Sequence, residues 1–114
     1  MASYNLKITI KAQGDLESIY TNGYKTWGSS LADSYYDRLI QRFDELTQHP
    51  LLYQAVDHIR TGYRRSVCGV HSIYYRINGN TIEIMRVLGH QDPKTITQVR
   101  GAWSPTIRKV AMRM

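Results

Sequence analysis

The most regular hydrophobic pattern in the chain lies between Ser30 and Gln48. Leu31, Tyr35, Leu39, Phe43 and Leu46 recur at steps of four, four, four and three, and Tyr36 and Ile40 widen the stripe. Asp33, Asp37, Arg38, Gln41, Arg42 and Asp44 take the other side. That spacing predicts an amphipathic helix with one buried face. His49-Pro50 closes it, because proline pushes the residue before it out of the helical region. A first helix is predicted from Gly14-Asp15 to about Lys25, with Asp15 as N-cap or first-turn acid and Leu16, Ile19, Tyr20 and Gly23 as its stripe. Trp27-Gly28-Ser29 breaks the chain between them. Two helices joined this tightly form a hairpin that lays its apolar side on a sheet.

Elsewhere the period is two. Tyr4, Leu6, Ile8 and Ile10 alternate with Asn5, Lys7 and Thr9, which predicts a half-buried strand over residues 4–10. Three more strands are predicted over Tyr63–Cys68, Val70–Ile77 and Thr81–Leu88. Asn78-Gly79-Asn80 makes a hairpin turn, and Gly69 marks a tight turn or bulge. The last strand places Ile82, Ile84 and Leu88 on one face and Met85 and Val87 on the other, so it is expected inside the sheet. Arg86 interrupts that apolar run and requires a partner, with Asp15, Glu17 and Asp57 as candidates, because an unpaired buried charge is very costly. The expected architecture is α+β, in the order strand, helix, helix, three antiparallel strands, with the helical hairpin on one face.

Composition narrows the function. A chain of 114 residues holds one domain with a modest core. No apolar run approaches the roughly 20 residues of a membrane span, and nothing in the sequence resembles a secretory signal, so none is expected. Cys68 is the single cysteine, so an intrachain disulfide and a cysteine-based zinc site are both excluded, and a reducing cytosol is the expected compartment. His58, His71 and His90 lack metal-ligand spacing, and no cofactor is expected.

The net charge of +6 is split unevenly: residues 1–57 carry −2 and residues 58–114 carry +8. Such a basic half favours an anionic partner, either nucleic acid or an acidic protein segment. Residues 60–90 concentrate the candidate chemistry, with five arginines, two histidines and three tyrosines. The candidate functional surface is Arg60, Tyr63, Arg64, Arg65, His71, Arg76, Arg86 and His90.

The residue order carries a resemblance to a family. Asp15-Leu16-Glu17-Ser18-Ile19-Tyr20, Trp27-Gly28 with Ala32, Tyr35 and Leu39, Phe43 with Leu46 and Pro50, Ile59-Arg60 with Gly62-Tyr63-Arg64, His71 with Ile73, Tyr74, Tyr75 and Arg76, and Ile84 with Arg86-Val87-Leu88 stand in sequence. Together they resemble the ParE/RelE superfamily of toxins from bacterial type II toxin–antitoxin pairs, and the ParE branch more closely. Two departures stand out. Gly89 separates Leu88 from His90, where the family has His directly after Arg-Val-Leu. The chain also runs about twenty residues past the family's usual end. The likeness covers residues 4–92, so residues 1–92 are expected to form the toxin domain and residues 93–114 a basic C-terminal extension. Ile96, Val99, Trp103, Ile107, Val110 and Met114 are spaced by three or four in that extension, and Pro105 interrupts it.

The resemblance implies growth inhibition through a topoisomerase, DNA gyrase in the ParE branch. It also implies neutralisation by a cognate acidic, ParD-like antitoxin in a heteromeric complex. An antitoxin segment that folds as it binds is expected over the basic sheet and the helix groove. The RelE branch instead cleaves mRNA on the ribosome, which needs cationic groups around the phosphate and a general acid or base. Residues 51–93 contain no lysine and no tyrosine follows Tyr75. Arginine stays charged and transfers protons poorly, which leaves His71 and His90 as the proton-transfer candidates. The balance favours the non-nuclease branch. A non-catalytic nucleic-acid-binding relative is the third reading.

Overall fold

A computed structural model describes residues 3–89. The elements are β1 (Asn5–Ile8), α1 (Ile10–Trp27), α2 (Ser29–Gln48), β2 (Gln54–Ala55), β3 (Tyr63–Cys68), β4 (His71–Asn78) and β5 (Thr81–Gly89). The sheet order is β1-β5-β4-β3-β2, with β1 parallel to β5 and the other pairs antiparallel. The α+β order and the helical hairpin are as the sequence predicts. The structure adds β2, two residues long, and shows that β1 closes the sheet beside β5. The expected extension at residues 93–114 lies outside the described residues.

α1 starts five residues earlier than Asp15 would place it. The cap is Thr9, in extended backbone at φ −63° and ψ 161°, whose hydroxyl accepts from the amide of Ala12 at 3.2 Å. The same hydroxyl lies 2.9 Å from the Ile84 carbonyl and 3.2 Å from that of Met85, so the cap is also a tether to β5. The period-two pattern ran on through Ile10, but Ile10 opens the helix and is 85% exposed, while Ala12 and Leu16 are buried. Burial of that pair outweighs the weak helix propensity of Gly14.

Gly23 sits inside α1 because a Cβ there would stand 2.9 Å from the Trp27 ring. The chain reverses at Gly28, whose φ of 92° is open to glycine and strained for other residues. The stripe of α2 then buries Tyr35, Leu39, Phe43 and Leu46 against Ile73, Tyr75, Ile82 and Ile84 of the sheet.

Facing positions across the ladder separate two sheet surfaces. Arg64, Ser66 and Cys68 of β3 stand opposite Tyr75, Ile73 and His71 of β4, on the helix-covered side. Tyr63, Arg65 and Val67 stand opposite Arg76, Tyr74 and Ser72, on the open side. The β4–β5 register slips between Tyr74, opposite Arg86, and Tyr75, opposite Ile84. Met85 is the extra residue of a bulge, and it inverts the alternation. Ile82, Ile84 and Val87 therefore share the buried side, and Leu88 turns to the open side with 37% exposure. Strict alternation had placed Leu88 with Ile84 and Val87 opposite them; the bulge reverses both.

Candidate functional site

The open sheet face is built in cross-strand rows. In one row Arg65 faces Tyr74 and Tyr74 faces Arg86. In the next, Tyr63 faces Arg76, Arg76 faces Glu83 and Glu83 faces Lys7 of β1. Arg60, in the loop before β3, holds its guanidinium 5.7 Å from the centre of the Tyr63 ring, within cation–π range. Lys11 reaches the same cleft from α1, and Ile59, Met85 and Leu88 add apolar surface to it.

The cations of this face are not equivalent. Arg76 donates from Nε to Glu83 Oε1 at 2.5 Å, and Lys7 Nζ lies 3.9 Å from the other carboxylate oxygen. The hydrogen bond from Arg76 holds the Glu83 carboxyl below the usual carboxylate range. Arg86 makes a two-point contact with Asp15, at 2.8 and 2.9 Å, and Asp15 Oδ2 also accepts from the Val87 amide at 2.9 Å. This answers the question posed by an arginine in an apolar strand: of the three acids named as candidates, Asp15 is the partner. Among the described residues, no ion pair engages Lys11, Arg60 or Arg65. Those three groups carry the open face's unbalanced positive charge.

Two of the expected surface residues lie on the other side. Arg64 faces the helix layer, and its Nη1 donates to the Tyr53 carbonyl at 2.6 Å. It thereby pins the loop that also receives the Tyr75 hydroxyl, which donates to the Pro50 carbonyl at 2.7 Å. His71 is 4% exposed, and its Nδ1 lies 2.6 Å from the Tyr35 hydroxyl. Both positions follow from strand parity, since each stands across from a core residue of the neighbouring strand. His90 lies outside the described residues. The open face therefore unites Arg60, Tyr63, Arg65, Arg76 and Arg86, but not Arg64 or His71.

Lys11, which lines the cleft, and Tyr35, whose hydroxyl lies beside His71, are not among the residues the sequence singles out for the site. Lys11 falls between the strand expected over residues 4–10 and the helix expected from Gly14-Asp15, so nothing in the pattern turns it toward the sheet. Tyr35 is one apolar-stripe residue among several, and only the structure shows its hydroxyl accepting from the Val70 amide at 3.1 Å and lying 3.2 Å from the Cys68 carbonyl. Cys68 is buried, and burial pushes its thiol pKa up, which suits a packing role rather than a nucleophile. Among the described residues there is no group of three potential metal ligands, and no helix is long and apolar enough to cross a membrane.

A helical hairpin lying on one side of a mixed sheet is a fold found in other proteins of known structure. Two solved structures share it: the chromosomal ParDE system from P. aeruginosa (TM-score 0.70, 23% identity, 78% of this chain and 98% of that one) and the RelBE2 toxin–antitoxin complex from Mycobacterium tuberculosis (TM-score 0.61, 21% identity, 81% and 97%). The sequence narrows the class. Residues 6–93 match the family described as ParE toxin of type II toxin-antitoxin system, parDE. Toxin ParE1 of Mycobacterium tuberculosis is 40% identical over 81 residues, 70% of this chain and 82% of the relative. Toxin ParE1 of Caulobacter vibrioides is 35% identical over 85 residues, 75% and 86%. The chain belongs to the ParE toxin family.

Proposed function

We propose that this ParE-family toxin inhibits growth by binding a topoisomerase, DNA gyrase, through its open sheet face. A cognate acidic antitoxin neutralises it by covering that face. One observation carries the non-nuclease reading: the imidazole of the strand pair, His71, is on the helix-covered side, bonded to Tyr35, while the open face is cationic mainly through arginines. Guanidinium groups stabilise anions and give precise contacts to carboxylates, but they do not exchange protons near neutral pH. Among the described residues, a surface of this kind suits recognition and is poorly equipped for acid–base catalysis. The cytosolic compartment expected of a protein with one buried thiol is consistent with a gyrase target.

A supercoiling assay with purified gyrase and the full chain is the test. Inhibition at micromolar concentration, relieved by adding the antitoxin encoded beside it, is expected. Unimpeded supercoiling overturns the proposal.

A second reading, a RelE-like endoribonuclease, is favoured by Lys11. It places an amine beside Arg60, Tyr63, Tyr74 and Arg86 in one cleft. Cleavage of mRNA in a translation extract, abolished by Lys11→Ala, would establish that reading. Steeply salt-dependent binding to bare DNA or RNA without toxicity would point instead to a non-catalytic relative.

A further inference from the structure

The helical hairpin carries a second recess, opposite in character to the sheet face. It opens between α1 and α2 beside β1 and is lined by Ile8, Leu16, Glu17, Tyr20, Asp33 and Tyr36, among others. Tyr20 meets Tyr36 edge-on, with centroids 5.8 Å apart at 80°, and its hydroxyl donates to Asp33 at 2.7 Å. Tyr24, tilted against Tyr20 at 6.3 Å, extends the aromatic surface and is 54% exposed. Glu17 and Asp33 are exposed on its rim, and no lysine or arginine lines it. In a protein of net charge +6, an acidic, tyrosine-walled groove is a departure that calls for a cationic occupant.

The chain itself contains a segment of that chemistry. Residues 93–114 include Lys94, Arg100, Arg108, Lys109 and Arg113 and no Asp or Glu, a charge of +5, together with apolar residues such as Trp103 and Ile107. The place where this segment leaves the fold also fits. Gly89, the last residue of β5, borders a cleft on the other flank of α1, beside Asn22 and Trp27. Only the width of one helix, about 10 Å, separates the two flanks, and an extended chain covers about 3.3 Å per residue.

We propose that the α1–α2 groove receives the chain's own basic extension, residues 93–114, in cis. Tyr20, Tyr24 and Tyr36 offer ring faces to its cationic groups, Glu17 and Asp33 offer carboxylates, and Leu16 and Ile8 supply apolar surface. Two other surfaces suit it less. The open sheet face repels a segment of like charge. The cleft at Gly89 contains one carboxylate, Asp15, which Arg86 and the Val87 amide already engage.

The test uses the full chain with Cys68→Ala and a nitroxide attached at Ser104→Cys, read by paramagnetic broadening of the amide spectrum at low salt. The amides of residues 17–21 and 33–37 are expected to lose most of their intensity. They should recover it in Glu17→Lys/Asp33→Lys, and at about 0.5 M salt, where exposed charges are screened. Arg108→Glu/Lys109→Glu, which leaves the groove untouched, should release the segment equally and covers the case in which the groove variant fails to fold. Intact groove amides, or broadening centred on Arg65 and Tyr74, overturn the proposal. So does broadening seen only between a spin-labelled chain and a separate isotope-labelled one, which would mean that a second copy docks.

Discussion

Asp15 and Arg86 stand 71 residues apart in sequence and meet through two hydrogen bonds, Nε to Oδ2 at 2.8 Å and Nη2 to Oδ1 at 2.9 Å. The contact forms just past the bulge at Met85, where β1 no longer covers the edge of β5 and the Val87 amide would lack a strand partner. Asp15 supplies that partner as well as the counter-charge. Asp15→Ala removes both and is expected to destabilise the fold by about 2 kcal/mol, mostly through the orphaned amide, since Arg86 is partly solvated. Asp15→Asn keeps an acceptor and should lose less than half as much. Urea denaturation separates the two; equal losses would mean that the amide contact contributes nothing.

The Gly69 turn is coupled to Tyr35. Gly69 has φ 62°, and a Cβ there would stand 2.6 Å from both Cε1 and Oη of Tyr35. Gly69→Ala therefore meets backbone strain of about 1 kcal/mol together with a steric clash. In a Tyr35→Ala background only the strain remains, so the double-mutant cycle should show that Gly69→Ala costs less there than beside the native tyrosine. Tyr35→Phe keeps the ring but strands the Val70 amide, with an expected loss of about 1–3 kcal/mol. Additive effects in the cycle would argue against the contact.

Much of this architecture was legible because burial leaves a period in the sequence. The α2 stripe, the proline stop after His49 and the Gly79 turn each follow from one local rule. What stayed hidden depends on partners distant in sequence. The start of α1 is set by Thr9 reaching β5, which no local pattern shows, whereas Asp15, expected both as a cap and as one of three candidate partners for Arg86, is that partner and not the cap. The bulge at Met85 has no local mark, yet it reassigns Val87 and Leu88 to opposite faces. The candidate site was half readable: residue type identified its arginines, but strand parity decided that Arg64 and His71 face the helices.

Stability should fall at both ends of the pH range for separate reasons. Burial pushes the Tyr75 hydroxyl up to about 12, so its contribution is complete below the unfolded value of about 10 and is lost as pH rises from there through about 12. Tyr75→Phe should flatten that alkaline limb, although it gives up the bond to the Pro50 carbonyl. Glu83 behaves in the opposite sense. Its carboxyl is held down by Arg76, so the contribution is complete above the unfolded value and disappears as pH falls through the lower folded one. Glu83→Gln should flatten the acid limb alone. Urea midpoints measured across pH check both signs, and an unchanged acid limb in Glu83→Gln would rule out the Arg76 pair as its source.

If the open face is the recognition surface, its free cations and its structural ones should respond differently to truncation. Arg60 and Arg65 make no ion pair among the described residues, and Arg65 projects from the same row as Tyr74. The Arg60→Ala/Arg65→Ala chain should fold with near-native stability yet lose about tenfold in gyrase inhibition, the equivalent of 1.4 kcal/mol of binding. Its inhibition should also depend less on salt, because two exposed charges have left the interface. Arg64→Ala provides the contrast. Its guanidinium holds the Tyr53 carbonyl on the helix side, so the variant should lose stability while the folded fraction inhibits as the parent does. Supercoiling assays normalised to the folded fraction distinguish the two. A loss of inhibition in Arg64→Ala that exceeds its loss of folded protein would move the recognition surface away from the open face.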